Sequence, residues 1–271
     1  MSTELLNDVK NADQLPGSCP IGFIDIESAG NWTLPEYAGY FKLKYLLESA
    51  VAICLLVLLW PVILMLWLAV KATSPGSGFY TQTRVGLNGK IFKVVKLRSM
   101  CRNAELGGKF RWSNRADSRI TPLGKILRKL HLDELPQLWN VACGEMSLVG
   151  PRPERPEITA SLEKLIPQYH VRHSVKPGIT GLAQVNLEPD LNINSTRKKQ
   201  ILDLRYIENA NMFLDVRLIF ATSLRVIGIP GSTAMGIARL RQEIDYHELK
   251  AIGYEFDTPE AELWNPSREF A

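Results

Sequence analysis

Asp133 and Glu134 stand side by side in LRKLHLDELPQLWN, with Arg128 five residues before the first of them. Paired carboxylates beside a guanidinium suit metal-assisted phosphoryl chemistry. One carboxylate can attack phosphorus while the other holds a divalent cation, and hard Mg²⁺ prefers such oxygen ligands. Asp133 falls where a helix should begin, with Pro136 in its first turn and Leu138, Trp139 and Val141 packing inward before Gly144. Exposed N–H groups, the helix dipole and Arg128 should then keep it ionised. A plain helix cap is the competing reading of Asp133.

The surroundings weigh against a plain cap. Residues 71 to 130 carry fourteen bases, among them Arg84, Lys93, Lys96, Arg98, Arg119 and Arg128, against only Glu105 and Asp117. Such an excess suits contact with phosphate or anionic lipid. In GPRPERP (150 to 156) two prolines stiffen the backbone around Arg152, so its guanidinium is presented at little entropic cost. A structural corner with a solvated arginine is the alternative there.

The elements that must position these groups are legible in outline. Asn88-Gly89, flanked by β-forming residues, predicts a hairpin, because both positions tolerate positive φ. Thr121 and Pro122 ahead of Leu123, Ile126, Leu127 and Leu130 predict a short capped helix. Between Ile201 and Ile229 the pattern is helical again. Phe213, Val216, Phe220, Leu224 and Ile227 share one face there, with Arg217 and Arg225 near its edge. That suits a helix lying on an anionic membrane surface, and equally an ordinary core-packed helix.

Ala50 to Val70 form twenty-one consecutive uncharged residues, about 31 Å as a helix and so of membrane length. Pro61 sits near the middle, and lysines flank both ends (Lys42 and Lys44, then Lys71). Proline bends or breaks a helix, and a spanning helix commonly keeps its positive excess on one side. A re-entrant insertion and a simple span both remain open on these residues.

The ends differ from the middle. Residues 1 to 40 carry six acids against Lys10, and residues 241 to 271 carry eight acids against three bases. The leader is acidic and the apolar run begins some forty residues in, so it does not read as a secretory signal. Cys19, Cys54, Cys101 and Cys143 are dispersed with no metal-ligand spacing, which excludes a disulfide scaffold or a zinc site as organising principles.

Four blocks resemble the bacterial sugar transferases, also called monotopic phosphoglycosyl transferases, in that family's order. They are SPGSGFYTQTRVGLNGKIFKVVKLRSM, RITPLGKILRKLHLDELPQLWNVACGEMSLVGPRPE, VKPGITGLAQVN, and the DLRYIEN of Asp203 to Asn209 followed by FLDVRLIF. The resemblance implies that Asp133 is a nucleophile forming a covalent sugar-phosphate intermediate with release of UMP, and that Glu134 is a ligand of a catalytic Mg²⁺. It implies phosphate or substrate contacts for Lys96, Arg98, Arg128 and Arg152. It also implies a re-entrant helix broken at Pro61, entering and leaving by the cytoplasmic leaflet. Three positions depart from the family's pattern: Trp60 where Ser often precedes the proline, His131 where Ser or Tyr is frequent, and Leu182 where Trp is common.

The expected fold is mainly α with a small β-hairpin. It is a membrane-associated α/β domain with an N-terminal re-entrant, Pro-broken membrane helix and interfacial amphipathic helices. The divisions are an acidic arm (1–40), a membrane helix (41–72), a catalytic domain (73–229) and an acidic appendage (230–271). The implied partners are a UDP-sugar donor, a polyprenyl (undecaprenyl) phosphate acceptor and the lipid bilayer, with no nucleic acid, and a homo-oligomer is left open. The implied location is the cytoplasmic face of the plasma membrane, at the start of surface glycan assembly. An inverting glycosyltransferase that releases UDP, and a non-enzymatic basic membrane module, are the competing readings.

Overall fold

The computed structural model describes residues 38–101, 104, 117–187, 193–242 and 244. The expectations for the acidic arm up to residue 37, for Cys19, for residues 102–103 and 105–116, and for the acidic tail from residue 245 lie outside the described residues.

The described chain opens with α1 (Ala38–Thr73), 36 residues long. Phe41, Lys44, Glu48, Ala52 and Val70 are buried along one stripe, and Leu55, Leu59, Leu66 and Trp67 continue it against the core. This three-and-four spacing is what one face of a helix provides. The other faces expose Val57, Leu58, Trp60 and Met65. A helix apolar all round that buries only one stripe is suited to a lipid environment, and by length and composition α1 could cross a membrane. The expected break at Pro61 is not found, because α1 runs continuously through it. Proline removes one N–H and crowds the preceding turn, which kinks a helix without necessarily ending it when strong helix formers flank it.

Polar contacts fasten the first turns of α1 to the body. Lys44 Nζ lies 2.8 Å from Glu48 Oε1 and 2.5 Å from Asp215 Oδ2, and Ser147 Oγ donates to Glu48. Tyr40 and Tyr206 both donate to Asp215. Buried charges of both signs are thereby paired, which their desolvation demands.

The hairpin forms as expected. Strands β1 (Phe79–Val85) and β2 (Ile91–Leu97) pair antiparallel from Phe79↔Leu97 to Val85↔Ile91. Asn88 and Gly89 take φ of 52° and 77° in the connection. Helix α2 (Pro122–Lys129) carries the expected cap, with Thr121 accepting from Gly124 N at 3.0 Å.

The segment beyond α2 differs from expectation. His131 adopts φ 53°, and Leu132–Gln137 form a 3₁₀ helix before the five-residue α3 (Leu138–Ala142). Pro136 has no N–H with which to close an α-helical bond to Leu132, so the tighter winding fits the sequence. Trp139 was expected inside and is 59% exposed. Asn140 takes an inward place instead, donating to Lys93 O at 2.8 Å and accepting from Val95 N at 3.1 Å. It completes part of the open edge of β2, which an indole could not do.

A two-stranded parallel sheet, absent from the expectation, joins β3 (Ser147–Val149) to β4 (Gly178–Thr180). Its backbones approach so closely that a Cβ on Gly178 would lie 2.1 Å from Gly150 N. Between these strands run α4 (Pro156–Leu165) and a 3₁₀ turn (Tyr169–Ser174). The short α5 (Leu182–Asn186) follows.

The helical stretch expected from Ile201 is two helices, α6 (Ile193–Asn209) and α7 (Met212–Val226). Asn211 divides them by capping α7, its side chain accepting from Leu214 N at 3.0 Å. Helix α7 buries Asp215, Leu218 and Ala221 and exposes Phe213, Val216, Phe220 and, just past its end, Ile227. Helix α8 (Gly231–Ile237) contacts α7 and α5 and buries Ala234.

Candidate active site

The 3₁₀ helix packs against β2 and brings Glu134 to Lys96. Lys96 Nζ lies 2.7 Å from Glu134 Oε1, and Arg152 Nη2 reaches the same oxygen at 2.8 Å. Arg128 Nε donates to Ser99 Oγ at 2.8 Å. Lys96, Arg128, Asp133, Glu134 and Arg152 all line one cavity of about 1200 Å³, whose wall also includes Leu55 and Leu59 of α1. A charged centre is thus joined to the apolar helix by continuous space.

Arg98 lines this cavity too, but its guanidinium is committed to backbone carbonyls. It donates to Ser74 O at 2.7 Å and Pro75 O at 2.9 Å, clamping the turn after α1. Lys93 of the basic block is exposed and stands outside the cavity lining, because neighbouring strand positions face opposite ways.

Burial and the adjacent Glu134 push the Asp133 carboxyl above its ordinary value, against the opposing pull of Lys96, Arg128 and His131. Asp133 is 8% exposed within a 3₁₀ turn rather than at the start of an α-helix, so burial opposes the cations that favour its anion. Burial also pushes Glu134 upward, but Arg152 and Lys96 outweigh it and hold that carboxyl well below the usual range. The two adjacent carboxyls therefore titrate apart. Burial likewise lowers Lys96 and Arg128 from their usual values, partly offset by the neighbouring carboxylates.

The residues present fit a bound Mg²⁺. No described residue donates to the Asp133 carboxylate, and both cations on Glu134 share a single oxygen. Oxygens therefore remain for a cation that draws its other ligands from substrate phosphate and water, as Mg²⁺ does. Among the described residues no three His, Cys, Asp or Glu side chains gather into a metal cluster.

Several lining residues had no distinctive sequence signal. Glu154 accepts from Lys199, lies 3.8 Å from Arg84 and lies 4.0 Å from Arg172. Burial opposes its ionisation, yet Lys199, Arg172 and Arg84 bring it down to about 2. Arg172 itself is buried, with Asp203 Oδ2 2.6 Å from its Nη2 and Tyr169 Oη 2.7 Å from its Nη1. The unusual GPRPERP spacing marked this loop, but nothing local to Lys199 or Arg172 linked them to it.

A long apolar helix, a hairpin and a short carboxylate-bearing 3₁₀ turn thus border one cationic cavity, an arrangement suited to a transferase that works at a membrane. The chain belongs to the bacterial sugar transferase family, whose model matches residues 39–228. It is 42% identical over 230 residues to the UDP-glucose:undecaprenyl-phosphate glucose-1-phosphate transferase of Xanthomonas campestris pv. campestris, covering 83% of this chain and 45% of that protein. It is 39% identical over 183 residues to the UDP-N-acetylgalactosamine-undecaprenyl-phosphate N-acetylgalactosaminephosphotransferase of Aeromonas hydrophila, covering 68% and 43%. The exopolysaccharide production protein PSS of Rhizobium leguminosarum bv. phaseoli is 41% identical over 173 residues, covering 62% and 86%. The chain thus spans less than half the length of the first two relatives.

Proposed function

We propose that this protein transfers a sugar-1-phosphate from a UDP-sugar to a polyprenyl phosphate, releasing UMP, as the first membrane step of a surface polysaccharide or glycoconjugate. The observation that carries this reading is the unlike pair at Asp133 and Glu134, one carboxyl raised and its neighbour held low by Lys96 and Arg152, in a cavity walled partly by α1. A buried, weakly solvated carboxylate is a competent nucleophile.

An Asp133 oxygen attacks the phosphorus that bears the sugar. The bond from that phosphorus to UMP breaks, and UMP leaves with the electron pair. The resulting acyl phosphate is attacked by an oxygen of the polyprenyl phosphate, which restores the Asp133 carboxylate and gives a polyprenyl diphosphate sugar. Lys96, Arg128 and Arg152 stabilise the charge carried on the phosphoryl oxygens. Glu134, with Asp133 beside it, would hold Mg²⁺, which supplies charge neutralisation at the diphosphate. Leu55 and Leu59 border the cavity on the side of the apolar helix, where a lipid-borne acceptor must arrive. The Xanthomonas and Aeromonas relatives are named for undecaprenyl phosphate with UDP-glucose and UDP-N-acetylgalactosamine respectively, which supports a UDP-hexose or its N-acetylamino form as the donor here.

Purified protein in detergent or nanodiscs, given a panel of UDP-sugars and undecaprenyl phosphate, is expected to release UMP with at least one donor. Release of UDP would identify an inverting glycosyltransferase, and no nucleotide release with any donor would leave only a basic membrane module.

A further inference from the structure

Five consecutive residues, Gly150 to Glu154, are tied down on every side. Gly150 N donates to Thr180 O and Pro151 O accepts from Gly178 N, both at 2.9 Å. The next three carbonyls each take a donor from a different place. Arg152 O accepts from Arg172 Nη2 at 2.9 Å, Pro153 O from Arg84 Nη1 at 3.2 Å, and Glu154 O from Val85 N at 2.9 Å. Proline at 151 and 153 cannot supply N–H donors, so this stretch has no secondary structure of its own to hold it.

Of these ties, the one at Arg152 is made by a group that no substrate can reach. Arg172 is 2% exposed, and Asp203 on α6 is equally buried. Asp203 Oδ2 accepts from both Nε and Nη2 of Arg172, at 3.1 Å and 2.6 Å. Tyr169 Oη accepts from Nη1. Every arm of the guanidinium is therefore occupied, and its fork geometry is what lets one side chain satisfy Asp203, Tyr169 and the Arg152 carbonyl together. Lysine has no such fork. The side chain of Arg152 is by contrast 38% exposed and is held at its tip by Glu134, so where that guanidinium lies depends on where its backbone is held.

We infer that the buried Arg172–Asp203 pair positions Arg152, fixing the backbone from which the guanidinium reaches Glu134, and so acts on the reaction without touching substrate. The inference rests on the proposed sugar-phosphate transfer. Buried ion pairs of this kind contribute little net stability against an apolar alternative, which leaves room for a role in geometry. Displacement of a reacting group by about 1 Å is enough to cost up to about a hundredfold in rate.

The test is a cycle of variants read by initial rates of UMP release, with thermal unfolding measured in parallel. Arg172→Lys keeps the charge opposite Asp203 but loses the tie to the Arg152 carbonyl. It is expected to lower kcat about tenfold or more when Arg152 is present, and by less than about twofold in an Arg152→Lys background, because the coupling runs through one group. Equal factors in the two backgrounds would overturn the inference, showing a pair that serves the fold alone. Asp203→Asn is carried through the same cycle. If neither variant yields folded protein the pair is structural and the inference is likewise overturned. Absence of UMP release by the unaltered protein overturns the functional reading and the inference with it, whereas equal factors overturn the inference only.

Discussion

Arg152 and Lys96 converge on a single oxygen of Glu134, at 2.8 Å and 2.7 Å, and leave its other oxygen without a donor among the described residues. Two cations on one oxygen account for the depressed Glu134 carboxyl, and the proposed metal role would use the other oxygen. Glu134→Gln removes the charge that both cations face. UMP release is expected to fall about a hundredfold, with a loss of about 1–2 kcal/mol in stability from the uncompensated Lys96. Excess EDTA should abolish turnover of the unaltered protein and added Mg²⁺ should restore it. Full activity in chelator would remove Glu134 from any metal role.

Asp133→Asn retains shape and loses the nucleophilic charge. Turnover is expected to drop by about three orders of magnitude or more, while thermal stability rises or holds, since burial already opposes ionisation at this position. The unaltered protein incubated with donor alone should carry a sugar-phosphate adduct on the peptide containing Asp133, detectable by mass spectrometry and released by hydroxylamine. A variant that still releases UMP at a substantial rate would place the nucleophile elsewhere.

Lysines flank both ends of the apolar run, which favours a re-entrant insertion with both ends on one side of the membrane, whereas the unbroken course of α1 through Pro61 favours a span. Single cysteines at positions 42 and 71, in a background with the native cysteines replaced by serine, should both react only with reagent on the cytoplasmic side. Labelling from opposite sides would establish a span.

His173 is 9% exposed, has no partner for Nε2, and meets the ring of Tyr169 edge-on. Burial and the Arg172 charge depress it from 6.5 to about 3. The unfolded chain therefore binds a proton that the folded one refuses throughout that window. The contribution of neutral His173 is complete above about pH 6.5 and is lost as pH falls toward about 3, at about 1.4 kcal/mol per pH unit. His173→Phe should lower the sensitivity of the melting temperature between pH 7 and pH 5. An unchanged slope would mean that another group carries it.

Turn, cap and strand chemistry were legible because each depends on a few adjacent residues. Asn88-Gly89 must favour positive φ wherever it stands, and Thr121 with Pro122 must favour a helix start. The Asp133 segment was legible only in part. Its carboxylates were evident, but the 3₁₀ winding follows from Pro136 in competition with a strong helix pattern, and the outward Trp139 follows from the need of β2 for a partner at Asn140. The β3–β4 pair was not legible at all, because three-residue strands carry no periodicity and these two are separated by a helix.

Residue type and order alone settle that a membrane-length apolar helix precedes a basic segment and a carboxylate pair, since hydrophobicity and charge belong to each side chain wherever it lies. What that pair can do is a matter of long-range packing. Lys96 stands 38 residues before Glu134 and Arg152 stands 18 after it, yet they meet on one oxygen. Asp133 and Glu134 are identical in kind and adjacent in sequence, and they are driven in opposite directions because burial and nearby cations act through space, which the chain acquires only on folding.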